Sequence, residues 1–190
     1  MNYEIYKKTR NASWQCLVDC NITSLPISLS SVCRHFQIRI IQNSDLYENQ
    51  LKDNERGRAV LLENGAAIIV RDTDPIKDQR YTIAHEIGHI LIGDSSSEYE
   101  AERFAMGILA PACVLWGLDI HAPEDISELC NISLVSARIR AERMRLLYKR
   151  EREFIEKYGR SCFLRSKLEQ IYRKIRSVLL SSVKAGTAGL

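Results

Sequence analysis

Tyr81-Thr82-Ile83-Ala84-His85-Glu86-Ile87-Gly88-His89-Ile90-Leu91-Ile92-Gly93 is the stretch from which the rest of the chain is read. It contains His-Glu-x-x-His. On an α-helix, residues i and i+4 share a face, so His85 and His89 can reach one metal ion. Glu86 follows the first histidine and lies beside the open coordination position, where it can take a proton from the attacking water. The competing reading is an amphipathic helix that carries two histidines for packing. The flanks decide against it. Ile83, Ala84, Ile87, Ile90, Leu91 and Ile92 predict a buried helix, in which two histidines and a glutamate need partners. A metal ion supplies them. Gly88 leaves room for close backbone approach, and Gly93-Asp94 reads as the helix stop.

Two histidines are an incomplete site, because a catalytic zinc commonly takes three protein ligands and leaves one position open. After the polar break Asp94-Ser95-Ser96-Ser97, the chain offers Glu98, Glu100 and Glu102 at the start of a second helix. The serines suit an N-cap and the acids a first turn. At about 100° per residue, Ala101, Phe104, Ala105, Ile108 and Leu109 form one apolar arc. Glu98 falls inside that arc, Glu102 at its edge, and Glu100 on the opposite face, predicted to be solvated. A carboxylate on an apolar face is costly unless it is paired or metal-bound. Glu98 is therefore the expected third ligand. Glu102, one turn on, is expected to support a histidine as a hydrogen-bond acceptor. The alternative is that all three acids are a solvated helix start.

These two segments resemble the ImmA/IrrE metallopeptidases of mobile elements and bacterial stress responses. The resemblance rests on the Tyr81–His89 stretch and on Glu98, Ala101-Glu102, Phe104-Ala105, Leu109 and Pro111. It implies a gluzincin-like site, with His85, His89 and Glu98 as ligands and Glu86 as base. It also implies a narrow substrate: a helix-turn-helix repressor whose cleavage switches on a mobile element or stress response. The chain departs at Glu102, where the family more often has Asn or Asp. The implied metal is zinc, and a site of two histidines and one carboxylate also accepts manganese or iron.

The remaining sequence predicts an α+β fold that is mostly helical. Residues 4–20 and 28–36 read as helices. Ile38–Ile41, Arg58–Leu62 and Ala66–Val70 read as strands, with Asn64-Gly65 as a hairpin signal. A small antiparallel sheet is expected before the catalytic helix, and its free edge could hold an extended substrate. Residues 123–148 have a helix-turn-helix outline: a short helix from Asp125, a turn at Asn131-Ile132-Ser133, and a second helix carrying Arg138, Arg140, Arg143 and Arg145. The favoured reading is a helical pair packed on the core, with DNA binding as the rival. The organisation is thus a metallopeptidase domain over 1–122, the helical segment over 123–148, and a basic helical extension over 149–190. In that extension Leu164, Leu168, Ile171, Ile175, Val178 and Leu179 form a stripe, and residues 184–190 are expected to be disordered.

Charge is unevenly spread. Residues 138–184 hold 15 Lys or Arg against 5 Asp or Glu, whereas the whole chain is only +3. Such a segment can contact nucleic acid or an acidic partner, though interleaved Glu151, Glu153 and Glu156 also fit a solvated helix. At 45% hydrophobic, the 190 residues can bury a sizeable core. No apolar run suits a membrane span, and the opening Met1-Asn2-Tyr3-Glu4-Ile5 lacks the basic start and apolar core of a signal peptide. The expected compartment is the cytoplasm, where the six cysteines are reduced. Cys16-x3-Cys20-x12-Cys33-x-His35 approaches zinc spacing, but Cys33 and His35 diverge by about 200° on one helix. Buried thiols are the better reading. For the oxyanion, Tyr81, Tyr99 and His121 are available types, with no motif to choose among them.

Overall fold

The computed structural model describes residues 3–93, 96–159, 170, 173–175 and 177–178. They divide into two compact units, one built from Met1–Cys16 with Ser28–Leu109, the other from Leu17–Ile27 with Ala110–Leu190. The fold is α+β, with the predicted helices and strands present in order. No helix among the described residues is long and apolar enough to cross a membrane.

The first unit begins with helix α1 (Tyr3–Asp19), whose last turn passes into the second unit, and continues with α2 (Leu29–His35). Ser28 caps α2, its hydroxyl accepting the Ser31 N–H, while Leu29, Val32 and Cys33 are buried. Strands β1 (Ile38–Gln42), β2 (Gly57–Leu62) and β3 (Gly65–Val70) follow. The sheet is mixed and not purely antiparallel as expected: its order is β1-β3-β2, with β1 parallel and β2 antiparallel to β3. The reason is legible in β3. Ala66-Ala67-Ile68-Ile69-Val70 is apolar at every position, and all five residues are buried. A strand covered on both faces belongs in the centre of a sheet. Residues 43–56 carry the chain from β1 to the other edge.

The hairpin also shifts by one residue. Leu62 pairs with Gly65, so Glu63-Asn64 forms the turn and Gly65 opens β3. Gly65 has φ +118°, and a Cβ there would lie 2.4 Å from the Gln37 carbonyl at the entry to β1. That close pass, as well as the turn, requires glycine.

Helices α3 (Ile76–Ile92) and α4 (Glu98–Leu109) complete the unit and carry the motif residues. Ile83, Ala84 and Ile87 of α3 are buried, as are Ala101, Phe104, Ala105, Ile108 and Leu109, the whole predicted apolar arc of α4. Gly88 brings the helices together. A Cβ at that position would lie 3.1 Å from Ala101 Cα and 3.2 Å from its carbonyl oxygen, so any side chain would push the two backbones apart.

The second unit contains α5 (Ala112–Gly117), α6 (Pro123–Cys130) and α7 (Leu134–Tyr158). Pro123 opens α6, where its missing N–H costs nothing, and Asn131 ends it in the left-handed conformation at φ 49°, ψ 54°. Ser133 caps α7, accepting the Ser136 N–H. Ile126, Cys130, Ile132, Ala137 and Met144 are buried. Helix α7 runs unbroken past residue 148, so no linker separates the helix-turn-helix outline from the start of the basic extension. Of the C-terminal stripe, Ile175 is buried and Val178 exposed. Leu164, Leu168, Ile171 and Leu179 lie outside the described residues, as do Cys162 and residues 184–190.

Candidate metal centre

The site begins with two helical turns of α3. His85 and His89 project from one face, with ring centroids 4.8 Å apart and Nε2 atoms 3.1 Å apart. Helix α3 stops at Gly93, whose N–H donates to the His89 carbonyl and whose φ of +111° turns the chain sharply. Ser96 N–H donates back to the Gly93 carbonyl at 2.8 Å. The turn and the Gly88–Ala101 contact together fold α4 back along α3. Glu98, the first residue of α4, then reaches both rings: Oε2 is 3.0 Å from His85 Nε2, and Oε1 is 3.4 Å from His89 Nε2.

Among the described residues, His85, His89 and Glu98 are the one group of His, Cys, Asp or Glu side chains whose ligand atoms lie within 4.8 Å of one another. Among the described residues, Cys16, Cys20 and Cys33 form no such group with His35. The separations of 3.0, 3.1 and 3.4 Å are close to, and on the short side of, those around a bound metal ion. Nitrogen and oxygen ligands about 2.0–2.2 Å from a tetrahedral zinc are roughly 3.3–3.6 Å from each other. The donor chemistry fits as well. His89 Nδ1 is 3.0 Å from the Ser96 hydroxyl, which suits a proton on Nδ1 and a lone pair on Nε2. His85 Nδ1 is buried without a partner. With both Nε2 atoms unprotonated, the two rings and the carboxylate would present lone pairs to one point, where a cation could be held. The histidine side chains are only 15% and 23% exposed, while that of Glu98 is 80% exposed. The site is walled on the histidine side and open on the carboxylate side.

Glu86 lies between the two ligands in sequence and is anchored from the sheet. Its Oε2 accepts the Ala59 N–H at 2.8 Å. Arg71 N–H donates to Arg56 O, and this register turns the backbone groups of residues 58, 60 and 62 toward β3. Gly57, Ala59 and Leu61 present theirs to the free edge. Gly57 makes this approach feasible. A Cβ there would lie 2.4 Å from Thr82 Cγ2 and 3.7 Å from Glu86 Cγ. Neither Ala59 nor Gly57 could be found from sequence, since one acts through its backbone and the other through the lack of a side chain.

All three acidic residues stand elsewhere than expected: the Glu98 side chain is 80% exposed and is not enclosed with the apolar arc. Glu100 is not on a solvated face. It is buried, accepts from the Ser97 N–H (3.0 Å) and hydroxyl (3.1 Å), and pairs with Lys8 of α1 at 3.2 Å. The Ser97 hydroxyl in turn accepts the Glu100 N–H. This is a capping box, legible in retrospect as Ser97-x-x-Glu100. The Ser97 N–H, then the Lys8 ammonium, hold the Glu100 carboxyl below its ordinary pKa, against the opposing effect of burial. The apolar arc was correctly phased, but the local cap redirects Glu100. Glu102 does not accept from either histidine: Ser96 serves His89, and His85 Nδ1 has no partner. Glu102 is exposed, and its charge acts on Tyr81.

Tyr81 stands one turn before His85, with ring centroids 6.3 Å apart. Burial, reinforced by Glu102, pushes its phenol up to about 12, so it keeps its proton at neutral pH. Tyr99 is exposed, with the Arg103 guanidinium 4.5 Å over its ring. His121 belongs to the second unit, where its Nε2 is 2.7 Å from Asp119 and its ring packs edge-on against Tyr148.

No model of a known protein family matches this chain. No curated protein matches it either.

Proposed function

We propose that this protein is a zinc-dependent endopeptidase of the kind found in the ImmA/IrrE metallopeptidases. One observation carries the reading: two imidazole nitrogens and a carboxylate converge within 3.0–3.4 Å of one another, with the motif glutamate between the histidines in sequence. His85, His89 and Glu98 would hold a zinc ion, which would supply Lewis acidity toward an amide carbonyl and water. Glu86 accepts the proton of the attacking water and returns it to the leaving amine. The Ala59 N–H holds the Glu86 carboxylate in place. The outward-facing backbone of Gly57 and Leu61, with the Ala59 carbonyl, suits an extended peptide, which can pair with a free strand edge. Tyr81, protonated and one turn before His85, is a hydroxyl donor type on α3 that could meet developing negative charge.

The substrate we propose is a helix-turn-helix repressor, and this rests on the resemblance alone. Zinc-loaded protein incubated with a repressor encoded beside it should cut one or a few bonds, read by mass spectrometry, and leave casein largely intact. Efficient casein digestion with no preference for the repressor would instead indicate a housekeeping peptidase.

A second reading is a DNA-binding regulator with a structural or sensory metal. It draws on the α6–α7 outline and on the exposed basic residues Arg138, Arg145, Lys149 and Arg150. Glu86 weighs against it, because a purely structural site has no use for a base beside its ligands. Sequence-specific duplex binding without peptide cleavage would favour this second reading.

A further inference from the structure

The two metal-binding histidines are supported differently. His89 has its Nδ1 3.0 Å from the Ser96 hydroxyl. His85 has a buried Nδ1 that meets nothing. Ser96 is itself fixed, because its N–H donates to the Gly93 carbonyl at 2.8 Å within the turn that closes α3 onto α4. Its neighbour Ser97 has a separate task, capping α4 with Glu100. Adjacent serines thus serve opposite ends of one turn: Ser97 the helix that brings Glu98, Ser96 the ring of His89.

We infer that Ser96 is a positioning residue for the metal centre, fixing the tautomer and ring orientation of His89. The inference rests on the proposed metal site. A histidine that ligates through Nε2 carries its proton on Nδ1, and an acceptor at Nδ1 selects that tautomer. The Ser96 hydroxyl oxygen lies at hydrogen-bond distance from Nδ1 and takes the acceptor's part in the proposed arrangement. It leaves the Nε2 lone pair facing His85 Nε2 and Glu98. The ring then need not choose between tautomers or rotate about its outer bond when the ion arrives. Sequence alone gives no sign of this, since Asp94-Ser95-Ser96-Ser97 offers three equivalent hydroxyls.

The test compares wild type, Ser96→Ala and Ser96→Thr in the full chain. Zinc affinity is measured by competition with a chelator. Ring-nitrogen NMR of the metal-free protein, at a pH where imidazole is neutral, reads the His89 tautomer. Ser96→Ala should weaken zinc binding about 10–100-fold, the usual effect of losing an outer partner of a ligand. Its His89 should change from one Nδ1–H tautomer to a mixture. Ser96→Thr, which keeps the hydroxyl, should restore both readouts. Unchanged zinc affinity and an unchanged His89 spectrum in Ser96→Ala would overturn the inference. If the wild type binds no zinc, the metal-centre reading fails by itself, and the ring spectrum still decides whether Ser96 sets the His89 tautomer.

Discussion

Two helix pairs in this protein share an outline and differ in what they hold. In α3–α4 and in α6–α7, a short connector ends in a serine that caps the second helix: Ser97 in the first pair, Ser133 in the second. In α3–α4 the candidate ligand side chains turn toward the partner helix. His85 and His89 meet Glu98 because Gly88 lets the backbones close on Ala101. In α6–α7 the inward positions are Ile126, Cys130, Ile132, Ala137 and Met144, while Arg138, Arg145 and Lys149 point to solvent. Its polar groups diverge, and they form no cluster with metal-ligand spacing among the described residues. A helix pair therefore becomes a site through the direction of its polar residues and the closeness of its crossing. The loop alone does not make one.

This contrast can be broken most severely at Glu98. Glu98→Ala removes one of the three proposed ligands, and a zinc-loaded protein should then lose the metal on dialysis and all cleavage with it. The loss should exceed the roughly 10–100-fold typical of an outer partner. Mass spectrometry for bound metal checks it, and a zinc-loaded Glu98→Ala protein would remove α4 from the centre. Glu86→Gln comes next. The amide keeps the shape and the metal but cannot take a proton, so cleavage should fall about 100- to 10,000-fold at equal zinc content.

A third change tests the crossing itself. Gly88→Val places a branched side chain against the Ala101 backbone, which would have to give way. We expect a cost of about 1–3 kcal/mol in stability from overpacking, with weaker zinc binding as Glu98 is displaced. Thermal melts with and without zinc read both effects. A protein that melts and binds as before would show that the helices do not depend on this contact.

Glu100→Ala should act more gently, through the cap. Losing a capping interaction costs about 0.5–2 kcal/mol. The effect should also depend on pH with a definite sign. The folded-state pKa of Glu100 lies below its unfolded value of 4.5, so its contribution is present above that pH and is lost as the pH falls through the depressed value. The Tm difference between wild type and Glu100→Ala should therefore be largest near neutrality and shrink in acid. A difference that grows in acid would reverse the assignment. The smallest effect is expected at Arg138 in the other helix pair. Arg138→Ala, on an exposed face, should change stability by less than about 0.5 kcal/mol and leave zinc binding and cleavage alone.

The sequence by itself determined the helices, the strands and the ligand types. The spacing of His85 and His89 dictates a shared face at any helical position, and five apolar residues of α4 fix its phase. Both are local consequences of a 3.6-residue turn. Glu100 shows where one periodicity is too little: Ser97-x-x-Glu100 was also local, and a cap at a helix start outweighs the phase of the helix that follows. The mixed sheet was half legible, in the unbroken apolar run of β3. Only the tertiary structure decided that Ala59 holds Glu86, that Gly57 lets it, and that Ser96, and not Glu102, supports His89. These contacts join residues of different elements through a backbone N–H, a missing Cβ and one of three like hydroxyls. None has a residue type or spacing that marks it, because each arises from where the folded chain passes.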